Sequence, residues 1–188
     1  MDKYKKFISM IALVMLFGCV QAYKQLENNR LQMGEVYSVD PKMVWNSMEI
    51  RNITLWTANG MFLDRIVFYN AVEDGQTLFK ENEEEGQKFH KDMNIIEIAE
   101  FFSDSIKSSQ KWSQVEVMDL RPQAFGSQEG FMFDTKIVSG KGLIYKGLTL
   151  GAVINDKLYL IQFMAVEIEY YPKYIETVKD IMASVKTE

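Results

Sequence analysis

One cysteine, one histidine and three prolines in 188 residues remove several classes of protein from consideration. A single thiol, Cys19, cannot build a disulfide framework, and a chain with so little proline and a 47% apolar composition is neither collagen-like nor disordered. A single imidazole, His90, leaves few ways to assemble a transition-metal cage or a nucleophile and base pair, although carboxylate chemistry stays open. Long apolar runs are missing too. Phe7 to Phe17, interrupted only by Ser9, is eleven residues, short of the roughly 20 that a helix needs to span a bilayer. Past the first six residues no run of Lys or Arg occurs, and the net charge of −5 disfavours nucleic acid and anionic lipid as partners.

What is present is concentrated first at the amino terminus. Lys3, Lys5 and Lys6 precede the apolar run, the charge and length pattern of a signal peptide. The run closes on Leu16-Phe17-Gly18-Cys19, which resembles the bacterial lipobox, although Phe17 is larger than the residue usual at its position. The resemblance implies that Cys19 is lipidated and begins the mature chain, carrying a diacylglyceryl thioether and an acyl chain such as palmitate on its amino group. At about 0.8 kcal/mol per buried CH₂, two or more chains anchor stably. Val20 in place of an acidic residue is similar to the sorting signal for the outer membrane. Removing residues 1 to 18, with three Lys and one Asp, lowers the net charge from −5 to −7.

Residues 19 to 35 read as the lipidated Cys and a polar tether, and residues 36 to 188 as one domain. Val36 to Val39 is a short β-prone run stopped by Asp40-Pro41. Met48 to Trp56 and Phe62 to Tyr69 predict two strands, joined by a type I′ hairpin at Asn59-Gly60. Residues 80 to 92, mostly charged, predict a solvated loop. Asn94 and Glu97 have the spacing of a capping box, followed by Ile95, Ile98, Ala99, Phe102 and Ile106 at helical spacing. Trp112 to Leu120, Gly130 to Ser139, Leu143 to Ile154 and Leu158 to Val166 predict four strands, the last three an antiparallel meander. A closing helix begins near Pro172, with Tyr174, Ile175, Val178, Ile181, Met182 and Val185 in one stripe. Two apolar-striped helices need a sheet to cover, so the class is α+β, an antiparallel sheet covered by helices.

The last sixty residues, from Gly130-Phe131-Met132-Phe133 through the Gly142, Gly147 and Gly151 strands and Leu158 to Phe163 to the helix after Tyr170-Tyr171-Pro172, resemble the PsbP-like fold. That group includes the photosystem II oxygen-evolving protein, a Ran-binding nuclear import factor and many bacterial lipoproteins. The resemblance implies an α/β/α sandwich. Trp56 to Gly60 with Leu63-Asp64 and Asp74-Gly75 is similar to a pattern in uncharacterised proteobacterial lipoproteins.

No catalytic constellation emerges. His90 stands in a charged stretch without a sequence-adjacent partner and reads as exposed. Glu83, Glu84, Glu85 and Asp92 supply oxygen ligands but lack the alternation of a Ca²⁺ loop. Gly140, Gly142, Gly147 and Gly151 read as turn and bulge residues and Ser127 as a loop Ser, while Asp64 with Asp134 stays unassigned. The expectation is therefore a non-enzymatic envelope lipoprotein without cofactor or metal, anchored through Cys19 at the outer membrane and facing the periplasm. Its domain would be an accessory module for another envelope protein. The alternative is a carrier or sensor of a small apolar ligand, held between sheet and helix. An exposed apolar patch rimmed by polar groups favours the module, a closed cavity lined by Met and aromatics the carrier.

Overall fold

In the computed structural model, residues 23–50, 53–79, 86–109 and 112–187 are described. The strands are β1 (Lys24–Gln25), β2 (Leu31–Met33), β3 (Tyr37–Val39), β4 (Asn46–Ile50), β5 (Ile53–Thr57) and β6 (Asp64–Val72). Then follow α1 (Ile95–Ser109), β7 (Trp112–Pro122), β8 (Phe131–Ser139), β9 (Ile144–Ile154), β10 (Lys157–Val166), α2 (Tyr170–Ala183) and β11 (Lys186–Thr187). Eight strands form one sheet in the order β1-β4-β5-β6-β10-β9-β8-β7, antiparallel throughout, and β11-β3-β2 form a second, small sheet.

The large sheet separates two cores. Beneath α1 lie Leu158, Leu160, Phe131, Phe133 and Val67, packed on Ile98, Phe101, Phe102 and Ile106. On the other face Tyr159, Ile161, Phe163, Ile66 and Phe68 meet Val178, Ile181 and Met182 of α2 and Tyr37 and Val39 of the small sheet. Alternate side chains of β10 thus enter different cores, which explains why its sequence is apolar almost without interruption. The arrangement is an antiparallel α/β/α sandwich. Among the described residues no helix is long and apolar enough to cross a membrane.

Local signals were reliable. The Asn94 amide donates to Glu97 Oε2 at 2.7 Å while Asn94 Oδ1 accepts from the Ile96 and Glu97 amides, the reciprocal bonds of a capping box. The β8–β9–β10 meander and the buried stripe of Tyr174, Val178, Ile181 and Met182 are present.

Five expectations change. The stretch Met48 to Trp56 holds parts of two strands, β4 and β5, paired from Ile50↔Ile53 outward to Asn46↔Thr57. The tether over 19–35 is folded from β1 onward: β1 pairs with β4, β2 pairs with β3, Met33 is buried, and Arg30 reaches Asp40 at 2.8 Å. These polar residues find tertiary partners that no local pattern announces. Phe89, inside the expected solvated loop, is buried, and its amide donates to the Gln76 carbonyl. Gly147 and Gly151 stand in unbroken β9 register rather than at bulges; a Cβ there would collide with Thr135 and the Phe163 carbonyl, or with Leu160 and Phe131. The chain ends not on α2 but on β11, paired with β3.

Candidate functional site

The expected two-residue hairpin at Asn59-Gly60 is a six-residue connection between β5 and β6. Gly60 has φ +116°, whereas Asn59 is not in the left-handed region, so a type I′ turn is ruled out. That turn type occurs instead at Asn155-Asp156, where both φ values are positive (51° and 63°) and Ile154 pairs with Lys157.

The connection is held from several directions. Asp64, buried at the start of β6, accepts hydrogen bonds from the Ala58 amide (2.7 Å), the Asn59 amide (3.0 Å), Asn59 Nδ2 (2.7 Å) and Thr57 Oγ1 (3.3 Å). Asn59 Nδ2 also donates to the Tyr174 hydroxyl on α2 at 2.7 Å. On the opposite face, Arg65 Nη1 donates to the Met61 carbonyl (3.2 Å) and the Tyr145 hydroxyl to the Phe62 carbonyl (3.0 Å). The Val166 amide closes the ring on the Leu63 carbonyl at 3.0 Å.

Arg65 is unusual. It is buried, and among the described residues no carboxylate reaches it; its other contact is Met164 Sδ at 3.8 Å. Burial lowers its pKa, partly countered by the phenols of Tyr69 and Tyr145, and burial pushes the Tyr69 phenol well above its usual range. The Tyr69 hydroxyl donates to Gln162 Oε1 at 3.0 Å, extending the polar seam under α1.

This scaffold presents apolar side chains to solvent. Phe62 is 72% exposed, and Leu63 is exposed beside it. Leu143, before β9, and Ile168, 89% exposed after β10, stand at the same end of the sheet, joined by the Glu167 amide donating to the Ile144 carbonyl. Val44, exposed ahead of β4, extends the group toward the amino-terminal edge. Its polar rim includes the Lys146–Glu167 ion pair at 3.1 Å. The sequence pattern hid this cluster, because Phe62 and Leu63 read as the first residues of a buried strand. Ile168, an isolated apolar residue between Glu167 and Glu169, was the one local hint.

At the opposite end lies a groove of about 910 Å³ between Met93, Ile95 and Ile98 on one side and the β7–β8 connection on the other, with Phe131 and Val153 at its base. It is open to solvent, not the closed cavity lined by Met and aromatics that a carrier would show.

The residues singled out from sequence fall in separate places. Cys19 and Glu83 to Glu85 lie outside the described residues. His90 is exposed, with Nδ1 at 3.4 Å from Asp74, and Asp92 is exposed nearby. Ser127 shares a 2.7 Å hydrogen bond with Thr187 that fastens β11. Asp64 and Asp134 belong to different networks, Asp134 pairing with Arg121 at 3.0 Å. Among the described residues no group of three His, Cys, Asp or Glu is gathered to hold a metal.

No protein-family model matches the sequence, and no curated protein matches it significantly. Solved structures do. The solution structure of cyanobacterial PsbP (CyanoP) from Synechocystis sp. PCC 6803 is similar with a TM-score of 0.58 at 10% identity, over 93% of this chain and 99% of that one. A Bacteroides thetaiotaomicron protein has a TM-score of 0.48 at 10% identity, over 90% of this chain and 49% of that longer one. LpqN of Mycobacterium tuberculosis, described as involved in cell envelope biogenesis, has a TM-score of 0.38 at 10% identity, over 91% and 87%. The cyanobacterial likeness, spanning nearly both chains, gives this protein a PsbP-like fold.

Proposed function

We propose that this chain is a bacterial envelope lipoprotein, anchored through Cys19 at the outer membrane and facing the periplasm. Its PsbP-like domain is a non-enzymatic accessory module that docks another envelope protein through Phe62, Leu63, Leu143 and Ile168. The observation that carries the reading is the exposure of these apolar side chains on a connection held by Asp64, Arg65 and Tyr145. A pre-ordered anchor loses little conformational entropy on binding, which is how a few apolar side chains come to dominate an interface. The mature charge of −7 supports a protein rather than a nucleic acid or an anionic lipid face as the occupant. Three residues, Val20 to Ala22, separate Cys19 from Tyr23, and those four chain steps reach at most about 14 Å, so the lipid would hold the domain close to the bilayer.

The test has two arms in the native envelope. Cys19→Ser should abolish palmitate labelling and release the protein from the detergent fraction; labelled palmitate on that variant would overturn the anchor. A photo-crosslinking residue at position 62 should capture an envelope protein that Phe62→Glu no longer co-purifies. Equal recovery by both would overturn the docking assignment.

A further inference from the structure

The long edge of the large sheet and the helix beside it make a second surface, at a different place from the Phe62 cluster. β7 is the last strand in the order, eleven residues long, and among the described residues nothing pairs with its outer edge. The other edge is occupied by β1, which pairs at Ser47 and Asn46 of β4. Register breaks follow Trp112 and Met118, and Asp119 at the second has φ 51°. Between them Gln114 to Met118 keep unbroken register with β8. The two irregularities limit any added strand to about five residues, which protects the edge from open-ended sheet growth while leaving a short stretch competent to pair.

Alongside lies α1, and between it and β7 is a groove of about 500 Å³. Its apolar lining is Ile96, Ala99, Val117 and Leu120, and its charged rim is Glu100, Asp104 and Lys107. Ile96 is exposed in the first turn of α1, beside Glu97 and Glu100, whereas the helix's other apolar side chains are buried or half-buried. Lys107 is 3.8 Å from Asp104, so among the described residues Glu100 has no opposing charge in the groove; on the strand Asp119 is exposed, while Glu116 stands opposite Lys136 of β8. The local balance is acidic, as is the mature chain.

We propose that this groove takes an extended, basic segment of a partner protein, added as a strand to β7 at Gln114 to Met118. Alternate apolar side chains of that segment pack against Ile96, Val117 and Leu120, and its lysines or arginines face Glu100 and Asp104. Free backbone groups on an edge strand supply affinity, pockets at a period of two supply side-chain selection, and opposite charge sets direction and encounter rate. The proposal does not depend on the lipid anchor or on the Phe62 cluster.

The test titrates the full chain, in detergent micelles, with a fluorescein-labelled octapeptide of alternating lysine and valine. Saturable binding is expected, weakened at least about tenfold when alternate peptide nitrogens are methylated, since methylation removes the donors a strand needs. A glutamate–valine octapeptide should bind at least about tenfold more weakly, and so should the lysine–valine peptide to Ile96→Lys or to Glu100→Lys with Asp104→Lys. These three positions are on the helix surface, so an unchanged Tm confirms that folding is intact. Phe62→Glu should leave peptide affinity unaltered. Absence of binding, equal affinity of the methylated peptide, or indifference to the charge reversals would each overturn the proposal. A dimer of the chain that dissociates in the same variants would assign the edge to a second copy and also overturn it.

Discussion

Two connections in the same sheet perform the same topological task in opposite ways. Asn155-Asp156 joins β9 to β10 with two polar residues, both at positive φ, and is followed at once by register pairing. The 58–63 connection joins β5 to β6, also adjacent antiparallel strands, with six residues, a buried carboxylate at its exit and two exposed apolar side chains at its tip. Joining neighbouring strands requires only the first solution. The additional length of the second costs backbone entropy, and exposing Phe62 adds a liability for association. Asp64, Arg65, Tyr145 and the Val166 amide offset the first cost by fixing the loop, and fixation is useful only if the loop's shape matters.

The largest expected effect tests that fixation. Asp64→Ala removes the acceptor of two loop amides, the Asn59 side chain and the Thr57 hydroxyl, leaving donors partly buried without partners. A loss of about 3 to 4 kcal/mol is expected, read as a lower urea midpoint at unchanged m. A loss below about 1 kcal/mol would mean that the loop holds its shape without the carboxylate, and the contrast with Asn155-Asp156 would collapse.

Gly60→Val comes next. A Cβ at Gly60 meets no atom within 4 Å, so the cost is purely one of backbone strain at φ +116°. A β-branched residue there should destabilise by about 1 to 2 kcal/mol. An unchanged melting temperature would show that the loop relaxes freely. The matching change in the short turn should have the opposite sign: Asp156→Gly relieves a residue at φ 63° and gives up only an exposed ion pair to Lys91. The expected gain is about 0.5 kcal/mol, since surface pairs contribute little and glycine adopts positive φ without strain. A loss on Asp156→Gly would mean that the Lys91 contact outweighs the relief.

The same pair of loops shows what a sequence can disclose. A short link between the strands ending at Ile154 and beginning at Leu158 was legible because its cause is local, polar residues between two apolar runs, whereas the turn type at Asn155-Asp156 was seen only in the fold. The capping box at Asn94 and Glu97 and the stripe from Tyr174 to Met182 were legible for the same reason. β1, β2 and β11 were not. Each is two or three residues long, and β11 pairs with a strand near the other end of the chain, Lys186 opposite Ser38. Phe89 was hidden because its charged neighbours set the local average, although a single aromatic can be driven into a core by the fold around it. The Asp64 network was hidden in a different way: Asn-Gly signals a turn, but the length of the connection depends on where Asp64 anchors it. Exposure of Phe62 is a property of the folded end of the sheet, which β9, β10 and the start of α2 complete from about 80 residues later in the chain.

The smallest expected change in stability is the most informative for function. Phe62 is largely exposed, and the hydrogen bond near it uses its carbonyl, which any residue supplies. Phe62→Glu should therefore alter folding stability by no more than about 0.5 kcal/mol, the range of ordinary surface substitutions. On the docking role proposed above, the variant should nonetheless fail to capture an envelope protein, because a charge at the centre of an apolar contact would be desolvated without compensation. Asp64→Ala should lose the partner as well, but together with stability, and the pair separates the two roles: Asp64 holds the shape and Phe62 makes the contact. If Phe62→Glu proved strongly destabilising, the side chain would be part of the packing after all. The six-residue connection would then be a structural element, no different in purpose from Asn155-Asp156.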